Sequence, residues 1–557
     1  MKPWSQGLRA VGLLGVLAQA ACGSASGDDK PHSGAGGSSG SASGGGGPGA
    51  DPSSVCGTSK VGAPRLRRLS RDELNNTLAD VFPEVKGAWM ASFSADAIST
   101  HGFDNDATLL VVGKQLADEL DRAGNAVGAA VSGAGLATML PCSSSGKGAE
   151  AACAQQFLDK YAKRLFRRAL TPEESARYLA LFEQVSTAKD FATGIRYVTR
   201  ALVQSPYAVY RREVGTPVAG VYKLTPAELA TELAYDFTGT APTEELLASA
   251  EAGQLATPQA LESKAHELLI SPNGLRVVEK FFDSWLGYGR ASGISKPGVA
   301  EFGGLRDQMV GEARYFLGQV VVTRNGGLSE LLTATFTTPT ASLAAFYGFP
   351  APTADYAVTQ RPAGHGIGIL AQGSLLAALS GPGASSPTKR GLLVMERLLC
   401  RSKPTVPPGV PELTPPEPGM FTTRQHYENL HAKDPSCKAC HSRFDPIGFG
   451  FEHYDEVGRY RDLDGGLPVD SKSFVPTDDG SGHLFDFANL EELAEGLAAQ
   501  KLPYECTTGY LSTYVHGAPE ACLGETKRPA FIDQQLGFVD YLASLAAEPH
   551  FSQRRLQ

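Results

Sequence analysis

Long apolar runs, basic clusters and most familiar catalytic signatures are missing from this chain of 557 residues. The apolar stretches Val11–Leu17 and Ile367–Leu379 fall well short of the roughly 20 residues that cross a bilayer, so no membrane-spanning helix is expected. Lys and Arg form no long cluster and the formal net charge is -9, which argues against a nucleic-acid partner, because phosphates demand a basic face. Outside a Gly/Ser-rich N-terminal stretch there is no glycine-rich phosphate loop, no Gly-x-Ser-x-Gly elbow and no His-Glu-x-x-His helix, so those routes to phosphoryl transfer, serine hydrolysis and zinc peptidase chemistry lack their residues. Methionine is scarce, and none follows Met420.

What the chain does contain is Cys437-Lys438-Ala439-Cys440-His441, the attachment pattern of a c-type haem. One helical turn brings both sulfurs to the two vinyl positions of a porphyrin, and the adjacent imidazole of His441 stands under the iron as proximal ligand. Cys437, Cys440 and His441 are therefore the candidate cofactor-binding residues for one covalent haem c. With no methionine downstream, His431 is the first candidate for the sixth ligand. Met420, His453, His483 and His516 are others, and an open position is the alternative. Two readings without haem remain: zinc held by His431, Cys437, Cys440 and His441, or a plain Cys437–Cys440 disulfide.

Covalent haem attachment in bacteria requires export, and the N-terminus supplies an argument for it. Lys2 and Arg9 precede the apolar run, and the small residues Ala18, Ala20 and Ala21 lead into Cys22, as in a removable export signal. Cys22 followed by Gly23-Ser24 resembles a bacterial lipoprotein acceptor, with Gln19 where that pattern wants an aliphatic residue; ordinary cleavage after Ala18-Gln19-Ala20 is the alternative. Residues 23 to 54 are nearly all Gly, Ser and Ala, a flexible tether. The expectation is an exported protein of the cell envelope or outer membrane, periplasmic or cell-surface, held to the membrane by a lipid.

The remaining cysteines, Cys56, Cys142, Cys153, Cys400, Cys506 and Cys522, suit three disulfides in an oxidising compartment. Short separations favour Cys142–Cys153 and Cys506–Cys522, leaving Cys56–Cys400; buried free thiols are the alternative.

About 500 residues follow the tether, and with 42% hydrophobic side chains in the chain they can build a large core spread over several domains. Helix punctuation dominates: Ser70 with Glu73, Thr171 with Glu174 and Thr225 with Glu228 read as capping boxes, the last two with Pro at the first helical position. Ile367–Leu379 reads as a buried helix. Pro404 to Pro418 reads as an extended connector, after which Thr423 is expected to cap a helix leading to His431. The fold class expected is mainly α, a multidomain helical protein with short irregular or β-hairpin segments near the C-terminal motif. The expected organisation is a signal over 1–21, a tether over 22–55, helical domains over 60–140, 150–215 and 220–350, a cytochrome-c-like domain over 362–475 and a closing helical domain over 485–550.

Arg68-Leu69-Ser70 with Glu73, Asn76-Thr77 and Asp80, then Phe166 to Thr171 with Glu174, then Ser205-Pro206, Trp285-Leu286, Ser386-Pro387, Arg390-Gly391, His431, the Cys437 motif, Asp445-Pro446 and Gly448-Phe449, occur in a recognisable order. On these residues the chain resembles secreted planctomycete- and myxobacterial-type cytochrome-c-like proteins built from successive domains of unknown function. The resemblance implies no settled activity. Asp445, Glu452, Asp455 and Arg459 admit two readings, contacts to haem propionates and orientation of the iron ligand, or turn capping and a local ion pair. Two functions follow. One is redox: electron transfer, or haem-dependent oxidation of an extracellular substrate, with an unknown redox partner. The other is a cell-surface binding or scaffold protein in which the motif is a disulfide or metal site.

Overall fold

The computed structural model describes residues 62–89, 93–144, 147–405, 420–431, 435–517 and 526–555. The expected signal and tether, Cys22, Cys56, Cys522 and most of the proline connector lie outside the described residues, as does the side chain of His431.

Helix follows from local punctuation. Helix α1 (Arg71–Val81) starts where Ser70 Oγ accepts from the Glu73 amide at 3.1 Å and the Glu73 carboxylate accepts from the Ser70 amide at 2.6 Å. After α2 (Lys114–Ser132), the same box opens α3 (Pro172–Ala188) at Thr171, with Pro at the first turn. Arg168 pairs with the Glu174 carboxylate and holds it down to about 2. Asp190 caps α4 (Phe191–Val203). These helices enclose one apolar core that includes Leu78, Phe82, Phe157 and Leu202, all nearly inaccessible.

Strand β1 (Arg65–Arg68) pairs antiparallel with β2 (Tyr210–Glu213), Arg65 opposite Glu213. A three-stranded sheet follows from β3 (Thr216–Val218), β4 (Val221–Lys223) and β7 (Gln553–Arg555), so the end of the described chain returns to its middle. Thr225 and Glu228 form the third expected capping box at the start of α5 (Pro226–Thr238). With α6 (Pro272–Leu286) and later helices it builds the largest apolar core, including Phe237, Phe282, Leu370 and Leu511. Helix accounts for 58% of the structure, the mainly α class that the sequence implies, with a hairpin of β5 (Ser473–Pro476) and β6 (His483–Phe487) after the Cys437 motif. Ile367–Leu379 is buried, as a turn of 3-10 helix followed by α-helix. Among the described residues no helix is long and apolar enough to cross a membrane.

Cys142 and Cys153 are joined, as their short separation leads one to expect. The other expected pairs are not formed, because Cys506 bonds Cys400 across 106 residues of sequence, which rules out both Cys506–Cys522 and Cys56–Cys400. Packing decides this. The last long helix before the C-terminal segment, Lys501–His516, lies against Val394–Leu398, where Tyr510 Oη donates to the Glu396 carbonyl at 3.1 Å and Cys506 Sγ stands 3.5 Å from the Arg397 carbonyl.

Candidate functional site

Three short helices carry the motif: α8 (Thr423–His431), α9 (Pro435–His441) and α10 (Asp445–Phe449), with α7 (Pro387–Leu393) beneath them. The cap of α8 is Thr422, one residue before the expected Thr423: Thr422 Oγ1 accepts from the Gln425 amide at 3.2 Å while the Gln425 side chain accepts from the Thr422 amide at 3.1 Å. On α9 the three-residue spacing puts Cys437 and Cys440 on one face. Both are free, half-buried thiols in place of the alternative disulfide, and Cys440 packs against the largest core.

His441 is fixed from below. Its Nδ1 stands 3.0 Å from Asp445 Oδ2 one turn on, and Thr388 Oγ1 donates to the other carboxylate oxygen at 2.6 Å. Asp445 is buried, and the Phe444 ring meets the imidazole edge-on at 4.9 Å. A carboxylate on Nδ1 sets the tautomer and the ring plane, the usual arrangement behind a metal-ligating histidine.

Glycine makes this possible. A Cβ on Gly391 would stand 1.9 Å from the Phe444 carbonyl oxygen, and one on Gly448 would stand 1.9 Å from that of Pro387, so α7 and α10 cross backbone to backbone. That crossing delivers Thr388 to Asp445. Arg390, wholly buried, secures the following loop by donating to the carbonyls of Phe451, Tyr454 and Asp455 at 3.1, 2.8 and 2.7 Å, and burial pulls its guanidinium down to about 10.

The acidic residues near the motif divide between the two readings. Asp445 faces His441. Asp455 accepts from the Val457 and Arg459 amides and from Arg459 Nε at 2.8 Å, which is turn capping and a local ion pair. Glu452 accepts from Ser385 Oγ at 3.1 Å and Arg461 Nη2 at 3.2 Å; burial pushes its carboxyl up. Neither Thr388 nor Arg461 was suggested by sequence, since Thr388 lies 53 residues before His441 and nothing local marks it.

The candidate sixth ligands are dispersed. Met420 is 62% exposed. His453 donates from Nδ1 to the Arg461 carbonyl at 2.9 Å and stacks on Tyr460. His483 stacks on Phe474 and pairs with Asp486. His516 is buried elsewhere, 2.7 Å from His550. His431 ends α8, its side chain outside the described set. Among the described residues no three His, Cys, Asp or Glu side chains gather as a metal cluster. Two thiols one turn apart, followed by an imidazole anchored at Nδ1, fit the donor set of a c-type haem.

Four family matches follow one another between residues 67 and 464. Residues 67–132 match PSD3 (protein of unknown function, DUF1587), 153–213 match PSD5 (DUF1595) and 224–349 match PSD4 (DUF1592). Residues 367–464, which hold the Cys437 motif and its supporting helices, match PSCyt3 (protein of unknown function, DUF1588). No curated protein and no solved structure matches the chain. The protein is thus similar, through four successive segments, to domains of unknown function, in keeping with multidomain proteins of the planctomycete type.

Proposed function

We propose that this is an exported, lipid-anchored redox protein that holds one haem c through Cys437 and Cys440, with His441 as proximal ligand. The observation that carries the reading is the buried Asp445 carboxylate 3.0 Å from His441 Nδ1, itself held by Thr388. An isolated motif occurs by chance, but an imidazole oriented in this way is what an iron ligand requires. The label PSCyt3, over the segment that holds the motif, also hints at a cytochrome.

Bound haem would supply one-electron chemistry. The chain's own residues do the rest: the α9 thiols anchor, Asp445 fixes the imidazole, and the Gly391–Gly448 crossing keeps Asp445 in place. Electron transfer to an unknown partner follows from this arrangement, or oxidation of an extracellular substrate where the iron keeps an open position.

The test is expression with a haem-ligating export system, followed by the absorption spectrum and intact mass of denatured protein. A Soret band and a haem-sized mass increment that survive denaturation are expected, both lost in the Cys437→Ala/Cys440→Ala double variant. Folded, fully matured protein without colour overturns the reading in favour of a surface binding or scaffold protein.

A further inference from the structure

A cavity of about 340 Å³ lies far along the chain from the motif, between the start of α1, the end of α5 and the middle of α6. Arg67, Glu73, Asn75, Asn105, Asp236 and Lys280 are among its lining residues. Most charged groups there already have partners. Lys280 Nζ bridges Asp72 and Asp104 at 2.7 Å each, Arg276 pairs with Asp80 at 3.2 Å, and Asp236 accepts from Arg211 at 2.6 Å. The Glu73 carboxylate is taken up by the α1 capping box.

Arg67 differs. It is 1% exposed, and of its three guanidinium nitrogens only Nη2 makes a hydrogen bond, to the Asn105 carbonyl at 3.0 Å. Nε and Nη1 have no hydrogen-bond partner, and Asp236 Oδ1 stands 3.9 Å from Nη1. The side chain is seated by Gly517, which ends Lys501–His516 in the left-handed region at φ +59°; a Cβ there would lie 2.4 Å from the guanidinium. Burial and the neighbouring Arg211 hold its pKa below the ordinary range. A cation buried with open donors is costly unless an oxyanion completes it. The volume is at the small end for ligand sites and suits one sugar-sized molecule.

We propose that this cavity binds a small hydroxylated carboxylate of the sugar-acid class, its carboxylate on Arg67 and its hydroxyls against the amide and carboxylate wall around Asn75, Asn105 and Glu73. The carboxylate supplies the hydrogen-bond acceptors that Arg67 Nε and Nη1 lack. The hydroxyls match a wall that sets Asp72, Glu73, Asp104 and Asp236 against Arg67, Arg276 and Lys280, which favours a polar neutral body over a second anionic group.

The test is calorimetric titration of the full matured chain with D-galacturonate, D-galactose and acetate. One saturable site for galacturonate is expected, with galactose weaker by about ten-fold or more for want of the charge-assisted pair, and acetate weaker for want of hydroxyls. Arg67→Gln should remove binding. Because that variant removes a buried cation and can fail to fold, Asn75→Trp, which fills the cavity and leaves Arg67 intact, should also remove binding with the circular dichroism spectrum unchanged. The proposal is overturned if galacturonate does not bind, if galactose or acetate binds as well as galacturonate, or if Asn75→Trp binds like the wild type.

Discussion

Two regions of this protein use charge in opposite ways. Around β1, β2 and β7, Glu213 is fully buried and accepts from Arg65 at 2.5 Å and Arg554 at 2.7 Å, with Arg211 at 3.7 Å; Arg211 in turn reaches Asp236 and Glu232. Around the Cys437 motif, one carboxylate, Asp445, serves one imidazole at the surface of short helices whose contact depends on two glycines. The first arrangement ties sequence-distant segments together through buried ion pairs, with Arg211 Nε and Nη1, Glu213 Oε1 and Glu232 Oε1 left without a hydrogen bond. The second leaves its key side chains, Cys437, Cys440 and His441, half-buried. Buried charges that pair across distant segments make a scaffold, whereas a carboxylate aimed at a single half-buried ring orients that ring.

The difference breaks most sharply at Glu213. Glu213→Ala leaves buried Arg554 and Arg211 and half-buried Arg65 without their carboxylate, and removing one partner of a buried pair costs about 3–5 kcal/mol. Urea unfolding should show a loss of that size, and a loss below about 1 kcal/mol would mean that water reaches these guanidiniums. The corresponding break in the second region is Gly391→Ala. Its Cβ meets backbone at 1.9 Å, so α7 and α10 must separate, an overpacking cost of about 1–3 kcal/mol. Hydrogen exchange should show lost protection confined to α7, α9 and α10, with β1 and β2 unaffected.

These two sites also mark what sequence reading could reach. The capping boxes at Ser70, Thr171 and Thr225 were legible because the capping residue and its Glu partner lie three positions apart. Cys142–Cys153 was legible for the same reason of proximity, whereas Cys400–Cys506 was set by a helix packing against a segment about a hundred residues earlier. Nothing local in the sequence singles out Arg65, Glu213 or Arg554, since nothing local says that a strand from the end of the chain will cover them. At the site the motif residues were visible, and Asp445 was one of four nearby residues whose two readings sequence left open. Thr388 was not, because the Gly391–Gly448 crossing that brings it to Asp445 exists only in three dimensions.

A pH measurement sharpens the comparison with a smaller effect. His516 and His550 face each other at 2.7 Å beside the first region, where Arg65 donates to the His516 carbonyl, Arg554 donates to the His550 carbonyl and Glu213 lies near. Burial, reinforced by Arg554, holds His550 down to about 3, and burial with His550 and the arginines holds His516 well below its ordinary value. Because an unfolded imidazole titrates near 6.5, the unfolded chain binds more protons than the folded one between about pH 3 and 6.5. Stability is therefore full above that window and falls as the pH falls through it, by up to about 1.4 kcal/mol per pH unit for each histidine. His550→Gln should make the fall clearly shallower; an unchanged slope would assign the acid sensitivity to carboxylates instead.

The smallest change in stability, and the most specific in consequence, is expected for Asp445→Asn. The amide oxygen can still accept from Thr388 Oγ1, so the cost of losing one charged hydrogen bond should stay near 1 kcal/mol, far below that of Glu213→Ala. What changes is the character of His441. A carboxylate on Nδ1 pushes electron density into the imidazole, and a neutral amide pushes less. With haem attached, the poorer donor should stabilise the reduced iron, so the reduction potential should rise, with the thioether mass unchanged and the Soret maximum shifted. Thr388→Val, which leaves the carboxylate in place but unsupported, should move the potential in the same direction by less. If haem is retained and neither variant moves the potential, Asp445 belongs with Asp455 among the turn-forming residues, and the contrast between a buried ion-pair cluster and a directed carboxylate fails.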